Sequence, residues 1–164
     1  MDAVLRIRTS LLSAAGRLSW VPPTLARLAI GVVFAGTGWG KLQHLDKITS
    51  FFADLGIPAP GFGAVLVGSA ELICGVLLLI GLFTRLASLP LIVVMAVAIL
   101  TAKRADIGGL SDLLGFEETL YVVLLSWLAI AGPGPISLDR LLLRVLRRTG
   151  DANDPASQPA PAHN

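Results

Sequence analysis

The sequence predicts an all-α membrane protein: a bundle of four transmembrane helices with an N-terminal and a C-terminal interfacial amphipathic helix. Three observations predict it. Of the 164 residues, 54% are hydrophobic and only 15% charged, against about 25% charged in a soluble domain, and the mean hydropathy is +0.77. The apolar residues gather in long blocks divided by short polar stretches, the pattern of membrane crossings. In hydrocarbon the backbone must also pair its own polar groups, which a helix does within one segment. The lipid bilayer is therefore the expected surrounding. Net charge is only +2, with the basic residues near block ends, so nucleic acid is not an expected partner. A single cysteine, Cys74, excludes an internal disulfide and any CxxC pair.

Residues 1–21 place Arg6, Arg8 and Arg17 among Val4, Leu5, Ile7, Leu11 and Leu12. That mixture reads as a helix lying in the headgroup region rather than a cleaved signal peptide, whose apolar core would be uninterrupted. Pro22 and Pro23 are then expected to separate it from the first span.

Residues 22–143 hold the membrane domain. Its four spans are read as Thr24 to Gln43, Phe62 to Leu82, Leu86 to Ala102 and Glu118 to Gly132. A crossing needs about 20 residues, so the third and fourth should borrow flanking residues. Residues 44–61 and 103–117 read as connecting stretches. After Gly132 and Pro133 stop the fourth span, Ser137 is placed to cap a new helix, and "LDRLLLRVLRR" has the mixed apolar and basic character of a membrane-surface segment. Residues 144–164 begin basic, then turn to a Pro- and Ala-rich tail expected to be disordered. Arg6, Arg8, Arg17, Arg27, Arg85, Arg140, Arg144, Arg147 and Arg148 fall on one side, against Lys41, Lys47, Lys103 and Arg104 on the other. Both termini are therefore expected in the cytoplasm.

Within the first span Arg27, Gly31, Phe34, Gly38 and Lys41 recur at helical spacing and share one face. Gly36 and Gly40 form a GxxxG on another face, a pattern that can bring two copies together as a homo-oligomer. In the second span Gly68, Glu71 and Gly75 share a face. Glu71 lies roughly nine residues from one end, about 13 Å deep at 1.5 Å per residue. A carboxyl there costs about 2–3 kcal/mol, so it should face the bundle interior and find a partner. Lys41 is the leading candidate, because its long stem can lie along the helix surface. Two readings stay open. The pair is a buried clasp that fixes helix packing, or it is a polar site for a ligand head group or a proton. Phe34 and Trp39 are placed to line such a site, and Glu117 or Glu118, at the start of the fourth span, can face into it. Arg27, Gly31, Gly38, Gly75, Arg85 and Asp139 read as structural, with Arg85 expected to pair with Asp139. His44 and His163 are too far apart to begin a metal site, so no metal and no intrinsic cofactor are expected, and no nucleophile stands beside a base.

"RLAIGVVFAGTGWGKL", "GSAELICGVLLLIGLFTR" and "GPGPISLDRLL", in this order over roughly residues 25–143, resemble the DoxX family. The likeness falls on Arg27, Gly31, Phe34, Gly38 and Lys41, then on Glu71, Gly75, Gly81, Thr84 and Arg85. After the fourth span it falls on Gly132, Pro133, Gly134, Ser137, Leu138 and Asp139. The resemblance implies a small four-helix bacterial inner-membrane protein. The family takes its name from a subunit of a thiosulfate:quinone oxidoreductase, and relatives are linked to quinone or catechol handling and oxidative stress. A redox-associated accessory subunit is the expectation, with a bound quinone and a soluble or membrane redox partner implied by the likeness alone. Gly31, Gly38, Gly68 and Gly75 would then let the helices approach and leave room beside them. The alternatives are a non-catalytic scaffold recruiting soluble partners, or a small-molecule transporter.

Overall fold

A computed structural model of the chain describes residue 16 and residues 18–134 and 137–140. The expected amphipathic segment of residues 1–21 falls, but for its last residues, outside that range, and so do most of the expected C-terminal interfacial helix and the whole of residues 144–164, expected to be a basic and then disordered tail. The described elements are α1 (Val21–Gln43), α2 (Leu45–Asp54), α3 (Pro60–Ile80), α4 (Thr84–Thr101), a 3₁₀ turn (Arg104–Asp106), α5 (Leu110–Gly115) and α6 (Glu117–Ala131), with no strand among the described residues. Helices α1, α3 and α4 are long and apolar enough to cross a membrane. Helix α6 has 15 residues, short of the roughly 17–25 that a crossing takes. It is bounded by extended backbone at Phe116 and by Gly132 at a φ of 84°. Among the described residues there are thus three helices of spanning length, where four are expected from the sequence.

Each boundary has a local cause. Pro22 and Pro23 stand in the first turn of α1, where a missing N–H costs nothing and the fixed φ is already helical, directly after a turn at Ser19 and Trp20. Gly81 ends α3 in the left-handed conformation. Phe83 follows at a φ of 50°, costly for a side chain of its size. Its amide donates to Asp139 Oδ1 at 2.8 Å, and the Thr84 amide donates to Oδ2 at 3.4 Å. Asp139 thereby serves the free N–H groups at the start of α4 from 55 residues away. The expected Arg85–Asp139 pair is corrected accordingly: the sole ion pair among the described residues joins Lys41 to Glu71. Replacing Asp139 by Ala should destabilise the protein by about 1 kcal/mol, the usual worth of an N-cap, read as a lower thermal midpoint in detergent.

Helix α2 stands in residues 44–61, where the sequence predicts a connection. Leu45, Ile48, Thr49 and Phe52 are half-buried while Asp46, Lys47, Ser50 and Phe51 are exposed, so one apolar stripe follows a 3.6-residue period. That stripe lies against the start of α3, where a Cβ on Gly63 would be in ordinary van der Waals contact with the Phe52 ring at 3.4 Å.

Helix α1 packs chiefly on α3 and α4 on α6, with α3 joining the pairs through α4. Ile30, Phe34, Leu78, Leu91, Leu125 and Leu128 form the core at 2% exposure or less. Val32, Ile73, Val93 and Ile130 stand at 58–79%. Apolar residues both inside and outside are what a helix bundle in lipid requires.

Candidate functional site

The α1–α3 contact positions the polar residues. A Cβ on Gly31 would lie 2.8 Å from Leu79 Cγ and 3.0 Å from the Gly75 oxygen; one on Gly38 would lie 2.8 Å from the Gly68 oxygen; one on Gly75 would lie 2.9 Å from the Phe34 carbonyl carbon. Each glycine is therefore filled by the facing helix. They bring backbones together, as small residues do in membranes, but the expectation that they leave room beside them is corrected.

This close approach sets Lys41 of α1 beside Glu71 of α3. Lys41 Nζ donates to Glu71 Oε1 at 2.5 Å, with side-chain exposures of 27% and 1%. Glu71 Oε2 is buried with no hydrogen-bond partner. A carboxylate has capacity for about four hydrogen bonds, so Glu71 keeps acceptor capacity inside the bundle while Lys41 reaches toward its edge. Phe34, one turn beyond Gly38, is 2% exposed, and its ring meets Tyr121 of α6 edge-on at 5.5 Å. Glu118 lies one turn before Tyr121 and is half-buried, whereas Glu117 is exposed. Of the two acidic residues that open α6, Glu118 is the one turned toward the protein, though it makes no ion pair with Lys41. Trp39 stands at 56% exposure, on the outer surface of α1 and not beside its neighbour in sequence. Cys74 is buried in the core. No cluster of metal-ligating side chains occurs among the described residues.

A second polar group closes the opposite end. Arg27, 4% exposed, donates through a terminal nitrogen to the Pro133 carbonyl at 2.9 Å, and its Nε lies buried without a partner. Ser137 Oγ accepts from the Arg140 amide at 3.3 Å, and the Asp139 amide donates to the Gly81 carbonyl at 3.1 Å. The segment after α6 is thus stitched to α1 and to the α3–α4 turn, with Arg27, Gly81, Ser137 and Asp139 all taking part.

The DoxX family profile matches residues 23–104, which hold all but the first two residues of α1, the whole of α3 and α4, and both members of the Lys41–Glu71 pair. The chain belongs to the DoxX family. It is 36% identical to the Uncharacterized membrane protein Rv3486 of Mycobacterium tuberculosis over 137 residues, covering 74% of this chain and 82% of that one. It is 31% identical to the Inner membrane protein YphA of Escherichia coli, over 71% of this chain and 86% of the relative. A third relative, named "Putative oxidoreductase CatD", from Bacillus subtilis, is 30% identical over 73% of this chain and 86% of its own length. Solved structures gave no match. With relatives named as membrane proteins and three helices of spanning length, this DoxX-family chain is a membrane protein.

Proposed function

We propose that this DoxX-family protein crosses the bacterial inner membrane four times and serves as a redox-associated accessory subunit. In this reading it holds a quinone-like or other small amphiphilic molecule with the polar end at Lys41 and Glu71. Four crossings are supported by the path of α6. It starts beside Lys103, whose Nζ lies 5.6 Å from the Phe116 ring centroid, and ends where Pro133 meets Arg27. It therefore runs the depth of the bundle alongside α4, and its fifteen helical residues are extended by the ordered backbone on either side. The end bearing Arg27, Arg85 and Arg140 faces the cytoplasm, in keeping with the excess of arginine there and in both terminal segments.

The observation that carries the ligand reading is Glu71 Oε2: a fully buried oxygen with no partner, beside an ammonium that is itself only part-buried. Intramembrane ionisable residues arranged in this way are functional by default. Lys41 can donate to a carbonyl oxygen, and Glu71 can accept from a hydroxyl, so the donor set fits both a quinone and a quinol head. A quinone would supply two-electron redox chemistry when bound; these side chains would bind and orient it and keep its oxygens out of hydrocarbon. The oxidoreductase name borne by the Bacillus relative supports a redox setting, and the electron donor would then be a soluble or membrane partner.

The test is a thermal titration of the detergent-purified protein with short-chain benzoquinones and naphthoquinones. The wild type should gain several degrees at saturation, and Glu71→Gln should gain none. Equal shifts in both proteins, or no shift with any quinone, would sink the reading.

A further inference from the structure

The arginine-rich end of the bundle holds a second site that the Lys41–Glu71 reading does not use. A cleft of about 590 Å³ opens between the start of α4, the end of α6 and residues 137–140, lined by Phe83, Arg85, Leu86, Pro133, Asp139 and Arg140 among others. Its charge and its wall are of two kinds. Arg85 and Arg140 bring two guanidinium groups, and neither forms an ion pair among the described residues. Asp139, the one acidic group of the lining, is turned to the Phe83 and Thr84 amides, so it leaves the arginine donors free. Phe83 and Leu86, at 56% and 64% exposure, continue the apolar outer surface of the bundle into the cleft.

Arg85 lies close to the backbone at the end of α6. Gly132 ends α6 at a φ of 84°, and a Cβ there would lie 3.0 Å from Arg85 Nε. The missing side chain leaves room for the guanidinium beside the end of α6, and Arg140 lines the same cleft.

We propose that this cleft binds one anionic phospholipid, its phosphate held between Arg85 and Arg140 and its acyl chains lying along Phe83 and Leu86. Guanidinium groups match phosphate oxygens two donors at a time, and basic pockets at the ends of membrane helices are where anionic headgroups dock. An apolar wall that opens sideways onto the lipid suits an occupant with tails, whereas a free anion would use only the arginines. The site stands apart from Lys41 and Glu71, at the other end of α1 and α3.

Native mass spectrometry of the full chain, with phosphatidylglycerol or phosphatidylcholine added in equal amounts, tests this. The wild type should retain one phosphatidylglycerol with about tenfold preference or more, and Arg85→Ala/Arg140→Ala should lose that preference. Lys103→Ala/Arg104→Ala, which removes the same two charges at the opposite end, should keep it. Should the double variant not survive purification, Arg140→Ala alone, at an exposed position, is expected to lose most of the preference with an unchanged gel-filtration profile. Equal retention of the two lipids by the wild type would overturn the proposal. So would an equal loss in Lys103→Ala/Arg104→Ala, which would mean that bulk charge is at work. A third arm adds inorganic phosphate: if phosphate alone displaces the lipid and gives the same protection against melting, the occupant is a free anion and the lipid proposal fails.

Discussion

Lys41→Met is expected to destabilise the protein by about 3 kcal/mol or more, because it strands the Glu71 carboxylate inside the bundle. Glu71 is 0% exposed, and Oε1 would lose the only hydrogen bond that the side chain makes among the described residues. The reverse change should be milder. Glu71→Gln leaves a neutral amide at the buried position, and Lys41, at 27% exposure, can swing its ammonium toward the headgroups along its own stem. The asymmetry follows from burial, and equal losses in the two single variants would contradict it. The double variant Lys41→Met/Glu71→Met should recover most of the stability, since a buried ion pair replaced by apolar side chains of similar volume often costs nothing. Thermal melts or denaturant titrations of all four proteins in one detergent supply the cycle.

The same cycle separates the two roles that the sequence leaves open for this pair. If Lys41 and Glu71 only fasten α1 to α3, the double variant should behave like the wild type in every respect. If they also receive a ligand, it should be as stable as the wild type yet show no quinone-dependent shift. A stable protein that still responds to quinone would place the ligand elsewhere in the bundle.

How much of this was legible in the sequence depended on whether the partners announce themselves by spacing. Arg27, Gly31, Phe34, Gly38 and Lys41 share a face by their period of three and four, and all of them but Lys41 prove buried. The cost of a carboxyl deep in an apolar run pointed to a partner for Glu71, and the reach of a lysine stem pointed to Lys41. Trp39 shows the limit of nearness along the chain: two residues from Lys41, it is turned by about 200° around the helix axis and faces outward. The Asp139 contacts were beyond spacing arguments, because its partners are backbone N–H groups at a turn, which no residue type advertises. Arg85 was thus paired by charge with a carboxylate already committed to Phe83 and Thr84. Helix α2 was lost for a different reason. Its polar residues suggested a loop, although Leu45, Ile48, Thr49 and Phe52 already carried the helical period.

The glycine faces of α1 make the sharpest steric prediction. Gly75→Ala should destabilise the α1–α3 pair by about 3 kcal/mol, the upper part of the range for overpacking. The added methyl would meet the Ala35 amide nitrogen, with Ala35 Cα at 3.0 Å and the Phe34 carbonyl carbon at 2.9 Å. These are backbone atoms, and they cannot rotate aside as a side chain can. Helices α1 and α3 must therefore move apart, and that motion also pulls Lys41 from Glu71. Gly36→Ala and Gly40→Ala are the controls, since a Cβ at either position meets nothing within 4 Å. Both should melt within about 0.5 kcal/mol of the wild type, as surface substitutions usually do. They also decide what the GxxxG at Gly36 and Gly40 is for. The face it occupies is open in the single chain, so Gly36→Leu should leave the melting of the monomer unchanged. Loss of a crosslinkable dimer in that variant would assign the motif to contact between copies. A dimer that persists would leave Gly36 and Gly40 as lipid-facing residues with no role in assembly.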